Sequence, residues 1–138
     1  MQSIAHKYSN QKFPVNKQAR DQLGGLSVMF LLGMGVNLIG LPSETSGSTN
    51  TVTTILLGLH MLIGISLIAG GIITVFRARS STFLKVTWTG LVAIVLTFFC
   101  GIMTLNTKNN WWSYAMSIGF IASFWIYGLL FVKTQVKQ

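Results

Sequence analysis

Four long apolar runs, three of them free of charge, constrain this chain more than any other feature. They cover residues 23–41, 52–76, 84–105 and 112–132, and the only charged residue in any of them is Lys85, at the edge of the third. A helix crossing the hydrocarbon core of a bilayer needs about 20 predominantly apolar residues. Each run meets that length. Transmembrane β-strands are about half as long and alternate in polarity, which these runs do not. The rest of the composition agrees. Only 12 of 138 residues are formally charged and 51% are apolar, whereas soluble domains carry about a quarter charged residues. So few charges cannot solvate a globular surface, and lipid is the expected solvent.

The linkers are short and polar: "PSETSGSTNT" after the first run, "RARSST" after the second and "NTKNNW" after the third. Short links make consecutive helices antiparallel neighbours. The expected fold is all-α: an integral membrane, up-down four-helix bundle over residues 23–132. A basic polar segment, 1–22, precedes it as a tail or surface-lying helix, and a short tail, 133–138, follows. The opening residues lack the apolar stretch of a signal peptide.

Ten Lys and Arg against two acids give a net charge of +8. In a soluble domain such a balance would suggest nucleic acid. Here the cations flank the apolar runs. With alternating spans, Lys7, Lys12, Lys17, Arg20, Arg77, Arg79, Lys85, Lys133 and Lys137 fall on one side and Lys108 alone on the other. The positive-inside bias then places both termini and the middle linker in the cytoplasm, in an arrangement expected of a bacterial cytoplasmic membrane. Trp111, Trp112 and Tyr114 would mark the outer interface, and Phe83 and Trp88 the inner one. Phe98, Phe99, Phe124, Trp125 and Phe131 are expected on the lipid-facing ring.

The two halves can be laid over one another, with Gly25 on Gly90 in the first helix of each hairpin and Leu59 on Tyr114 in the second. Met61 then faces Met116, Gly64 faces Gly119 and His60 faces Ala115. A duplicated hairpin of this kind would be a parallel repeat.

His60 is the one side chain inside the runs whose ordinary pKa lies near neutrality. It sits about 6 Å to the outer side of the middle of its run, at 1.5 Å per residue. An imidazole facing acyl chains is costly, so it should point into the bundle and find partners there. Asn37, Thr97, Cys100, Thr104 and Tyr114 lie at similar depth. Together with His60 they are the candidate lining of an outward-opening pocket, and a hydrogen bond from His60 to Asn37 or to a hydroxyl is the structural alternative. Cys100 has no partner for a disulfide and is expected as an inert thiol. The spans contain no acid for a proton relay. Ala115, Gly119 and Ser123 form a small-residue stripe suited either to an internal helix contact or to a homodimer seam.

With "LHMLIG" at residues 59–64, the chain resembles four-helix membrane b-type cytochromes and haem-handling membrane proteins. It is also similar to uncharacterised bacterial four-span membrane proteins, which imply a fold and no activity. The first resemblance implies a haem b with His60 as axial ligand, Gly64 leaving room for the macrocycle and Met116 as a second ligand. The chain departs from that pattern in its fourth span, where Ala115 stands in place of a histidine, so bis-histidine ligation within one chain is unavailable.

The expected function is that of a non-enzymatic accessory or small-molecule-binding subunit built around His60, with the bilayer, a membrane protein or a second copy as partner and no nucleic acid. Haem-based electron transfer or haem handling is one alternative. An oligomeric transporter or channel is another.

Overall fold

The computed structural model describes residues 13–43, 46–79, 81–107 and 109–136. They form four helices: α1 Phe13–Ile39, α2 Gly47–Ala78, α3 Leu84–Thr107 and α4 Asn110–Val136. At 1.5 Å per residue the shortest, with 24 residues, is about 36 Å long, enough to cross a hydrocarbon core of about 30 Å. All four are long and apolar enough to be membrane spans, as expected of an integral membrane protein. Each packs on two neighbours, so α1 lies between α2 and α4, and α3 lies between them on the other side.

The helices outrun the apolar stretches at several ends, most clearly in α1. Residues 13–22, expected within a polar leading segment, belong to the same continuous helix as the first span. Val15, Ala19, Gln22, Leu26 and Met29 are all buried and recur at intervals of three and four, which places them on one helix face. Lys17, Arg20 and Asp21 are exposed on other faces and dilute the apolar signal without interrupting the buried stripe. Residues 1–12, including Lys7 and Lys12, lie outside the described residues, as do Lys108 and Lys137.

Local chemistry sets the helix ends. Gly40 adopts φ 102°, and its N–H donates to Val36 O at 2.9 Å. That left-handed turn ends α1 at a position where a Cβ would be strained, and Pro42 follows. Ser81 Oγ accepts from Phe83 N at 3.2 Å and donates to Ala78 O at 2.9 Å, joining α2 to α3. Asn109 Oδ1 accepts from Trp111 N at 3.0 Å at the start of α4.

The bundle is apolar outside as well as inside, and several small polar side chains are buried within it. Its perimeter carries Leu31, Leu38, Phe76, Ile121 and Trp125, each at least two-thirds exposed. Its interior holds Gln22, Thr53, Thr74, Thr87, Thr97, Ser123 and Thr134. Most of these hydroxyls donate to a carbonyl one turn back, such as Thr97 to Ala93 O at 2.7 Å and Ser123 to Gly119 O at 2.8 Å. Those hydroxyl hydrogens are thereby satisfied without water.

Glycines bring the helices together. A Cβ on Gly25 would lie 2.8 Å from Leu67 Cδ2, and one on Gly90 would lie 3.0 Å from Tyr127 Cε2 and 3.3 Å from Ile126 Cγ2. These contacts also measure the likeness of the two hairpins. Laying Leu59 on Tyr114 carries Leu67 onto Ala122, yet the counterpart of Gly25, Gly90, meets Ile126 and Tyr127. The second hairpin is therefore offset by about one helical turn from the register that the sequence alignment implies. The stripe of Ala115, Gly119 and Ser123 is an internal contact: Ser123 is buried, and Gly119 packs against Thr97 of α3.

Gly90→Ala should lower stability by about 1–3 kcal/mol, because the Tyr127 ring cannot yield to a new methyl group. Gly24→Ala, where a Cβ would meet nothing within 4 Å, should leave stability unchanged or slightly raised. Thermal unfolding of the two variants in detergent checks both expectations, and equal melting temperatures would contradict the packing described.

Candidate functional site

His60 projects from the middle of α2 into its seam with α1. Nδ1 lies 2.9 Å from Met29 O. A carbonyl can only accept, so Nδ1 carries the proton and donates it. Met29 O lies within α1, one turn before Gly33. The imidazole reaches it because Gly33 has no side chain: a Cβ there would stand 3.0 Å from His60 Cε1 and 3.3 Å from Nδ1. Gly33 is thus the slot through which His60 meets the α1 backbone.

A second bond answers the first. Gln22 Nε2 of α1 donates to Leu67 O of α2 at 3.1 Å. On α1 the donor Gln22 precedes the acceptor Met29 by seven residues, and on α2 the donor His60 precedes the acceptor Leu67 by seven. Seven residues are two turns, so donor and acceptor share a face on each helix. The antiparallel pair is clamped reciprocally, each helix donating once to the other's backbone. At the end of this seam that carries the exposed cations, Arg77 Nη1 also donates to Gln18 Oε1 at 2.9 Å.

With Nδ1–H engaged, neutral His60 keeps its lone pair on Nε2. No group among the described residues bonds to Nε2. Among the described residues the buried side-chain N and O atoms without a partner are Gln22 Oε1 and Tyr127 Oη, so Nε2 is not sealed inside the bundle. His60 as a whole is half-buried. The result is an oriented imidazole with an open acceptor on the α1–α2 seam.

The other residues expected around His60 are spread over several places. Asn37 is exposed on α1. The bond from His60 goes to a backbone carbonyl rather than to Asn37 or a hydroxyl. Tyr114 is 61% exposed and stands edge-on to Trp111, with ring centroids 6.2 Å apart, which suits the interface belt but not a pocket wall. Thr97 is buried on α3. Thr104 Oγ1 donates to Cys100 O at 2.9 Å, and Cys100 is half-buried.

Gly64 is buried, but the space beside it is taken by Phe98, whose Cδ2 would lie 2.9 Å from an added Cβ. Phe98, expected on the lipid-facing ring, turns inward because Gly64 leaves an indentation on α2 that a flat ring from α3 fills. Met116 packs on the α3–α4 seam, its Sδ 3.2 Å from where a Cβ on Gly101 would be. Between the four helices Leu26, Met29, Gly64, Thr97, Phe98 and Ser123 help to line a void of about 10 Å³, at the threshold for a single water. A haem between the helices of one chain does not fit this arrangement. Its place at Gly64 is filled by Phe98, and His60 and Met116 serve different seams.

Three contributors to these sites are not apparent as such from the sequence: Gln22, Gly33 and Tyr127. Gln22 continues the buried stripe of α1, and Tyr127 lies four residues beyond Ser123 on the stripe that begins at Ala115 and Gly119. Extending both stripes would have found them. Gly33 carries no signal beyond its size. No protein-family model matches the chain, and neither does any curated protein or solved structure.

In a His6→Gln background, where His60 is the only histidine, ¹⁵N spectra should show Nδ1 protonated and Nε2 bare at neutral pH. Gly33→Ala should displace the ring and change that pattern, with a stability loss of about 0.6 kcal/mol for the lost interhelical bond. A proton on Nε2 in the parent protein would contradict the bond to Met29.

Proposed function

We propose that this protein is a non-enzymatic integral membrane subunit that presents His60 Nε2 as a hydrogen-bond acceptor to a lipid-soluble molecule or partner arriving at the α1–α2 seam. One observation carries the proposal. The ring is held by Nδ1–H on Met29 O, through a slot made by Gly33, and its other nitrogen is left open. A merely structural histidine has no need of an open nitrogen, whereas a binding group needs one nitrogen fixed and the other available.

A second reading draws on the same bond. A metal-bound histidine ordinarily donates its other N–H to a carbonyl or carboxylate, which fixes the ring and the tautomer. Haem ligated by His60 would then sit outside the single bundle, against the α1–α2 seam, with its opposite face covered by a second copy or another membrane protein.

For orientation, the exposed cations Lys17, Arg20, Arg77, Arg79, Lys85 and Lys133 belong to one end of the up-down bundle. By the positive-inside bias that end is cytoplasmic, and the protein belongs in a bacterial cytoplasmic membrane with both termini inside.

Organic extracts of the purified protein, compared by mass spectrometry with those of His60→Ala, test the function. A compound retained by the parent and lost from a folded variant is expected. Identical extracts would defeat the proposal, and a Soret band lost in His60→Ala would establish the haem reading instead. For topology, Ser46→Cys and Gln135→Cys in a Cys100→Ser background should differ in intact cells. Only Ser46→Cys should react with a membrane-impermeant maleimide, and the reverse result would invert the orientation.

A further inference from the structure

The half of the bundle that carries the exposed cations contains a polar site distinct from His60. Tyr127 of α4 is fully buried and Gln22 of α1 is 3% exposed. Their Oη and Oε1 atoms have no hydrogen-bond partner. Both side chains converge on one step of α2. A Cβ on Gly70 would meet the Gln22 amide, Nε2 first and Cδ at 3.4 Å, and one on the adjacent Gly71 would lie 3.3 Å from Tyr127 Oη. The Tyr127 ring is fixed from the other side by Gly90 of α3, where a Cβ would stand 3.0 Å from Cε2. All four helices therefore meet at this level.

The donor balance shows what the site lacks. Gln22 has already given an N–H to Leu67 O at 3.1 Å, which leaves Oε1 as an acceptor only. Thr74 is buried nearby, but its hydroxyl hydrogen goes to Gly70 O at 2.7 Å. The phenol supplies one donor and needs an acceptor. Leaving both atoms unpaired in a dry interior costs far more than pairing them. A guest that accepts from Oη while donating to Oε1 completes both. It must be small, since the two side chains are enclosed. It must also be neutral, because no acid among the described residues faces it: Asp21 is exposed and pairs with Arg20 at 3.8 Å, and an uncompensated cation here would be expensive.

We infer that Gln22 Oε1 and Tyr127 Oη share one buried water over the Gly70–Gly71 step, joining α1 to α4 across the seam between the two hairpins. Elsewhere on that seam the α1–α4 ring contact is apolar, the Phe30–Phe120 stack at 5.1 Å. The water is a structural ligand that locks the hairpins together at this level.

The test is a double-mutant cycle read by thermal unfolding in detergent, using Tyr127→Phe, Gln22→Met and both together. Tyr127→Phe keeps the ring and its packing. It should lower the melting temperature by a few degrees in the parent, and by less than half as much in the Gln22→Met background. A true orphan hydroxyl would make Tyr127→Phe neutral or stabilising, and equal effects in the two backgrounds would show no link; either result overturns the proposal. Exchanging sodium for choline should leave the parent's melting temperature unchanged, and a sodium effect abolished by Tyr127→Phe would replace water with a cation. A crystal structure of the parent that resolves waters should show one within about 3.2 Å of both atoms. A direct Oη–Oε1 bond there would also overturn it.

Discussion

A bundle suited to hydrocarbon must find partners for its polar atoms within the protein, and the organisation of these four helices answers that constraint. Helices satisfy their own backbones. The polar side chains they bury are mostly hydroxyls that reuse a carbonyl one turn back, so they bring little unmet demand into the core. His60, Gln22 and Tyr127 are different, because their polar atoms reach beyond their own helix. His60 and Gln22 solve the problem by donating to the backbone of the facing helix, and the two bonds run in opposite directions with equal spacing. Such bonds are individually modest, about 0.6 kcal/mol on average. Their larger effect is on register, since sliding α1 along α2 would break both at once.

Close approach is what makes those bonds available. Leu67 against Gly25, His60 against Gly33, Phe98 against Gly64 and Tyr127 against Gly90 are four instances of one device: a larger side chain set where the facing helix has none. Between lipid-soluble helices there is little hydrophobic gain from association, so van der Waals contact at this range supplies much of the attraction. The same device has different outcomes at the two most suggestive glycines. Gly33 holds the imidazole in position and leaves Nε2 open, whereas Gly64 is occupied by Phe98 and offers nothing to a macrocycle. The imidazole and the Gln22–Tyr127 level are separated by apolar core residues such as Leu26, Leu67 and Ile94 and do not form a continuous polar path.

Much of this is legible in the order of the amino acids. The four helices, their antiparallel order and the gathering of cations at one end follow from apolar runs and short links. His60 stands out as the group to explain, because an imidazole in an apolar segment needs a partner. Its actual partner does not stand out, because a backbone carbonyl leaves no mark in a sequence and every residue has one. Asn37 lies one turn beyond Gly33 on α1, past the level of His60, and Tyr114 belongs to α4, which does not pack on α2; counting along a span gives an approximate depth and none of these pairings. The start of α1 at Phe13 is hidden because Lys17, Arg20 and Asp21 share the first turns with Val15, Ala19 and Gln22. A hydropathy average blends faces that a helix keeps apart.

Sequence alone determined that this chain makes four helices suited to hydrocarbon, because the length and purity of an apolar run are properties of the chain itself. Tertiary structure decided which faces meet: that Phe98 turns inward, that the second hairpin sits about one turn out of step with the first, and that His60 meets Met29. Those outcomes depend on rotation and register between helices. At three of the four seams they are settled by whether a glycine happens to face a larger side chain, a relation between distant residues that no local pattern encodes.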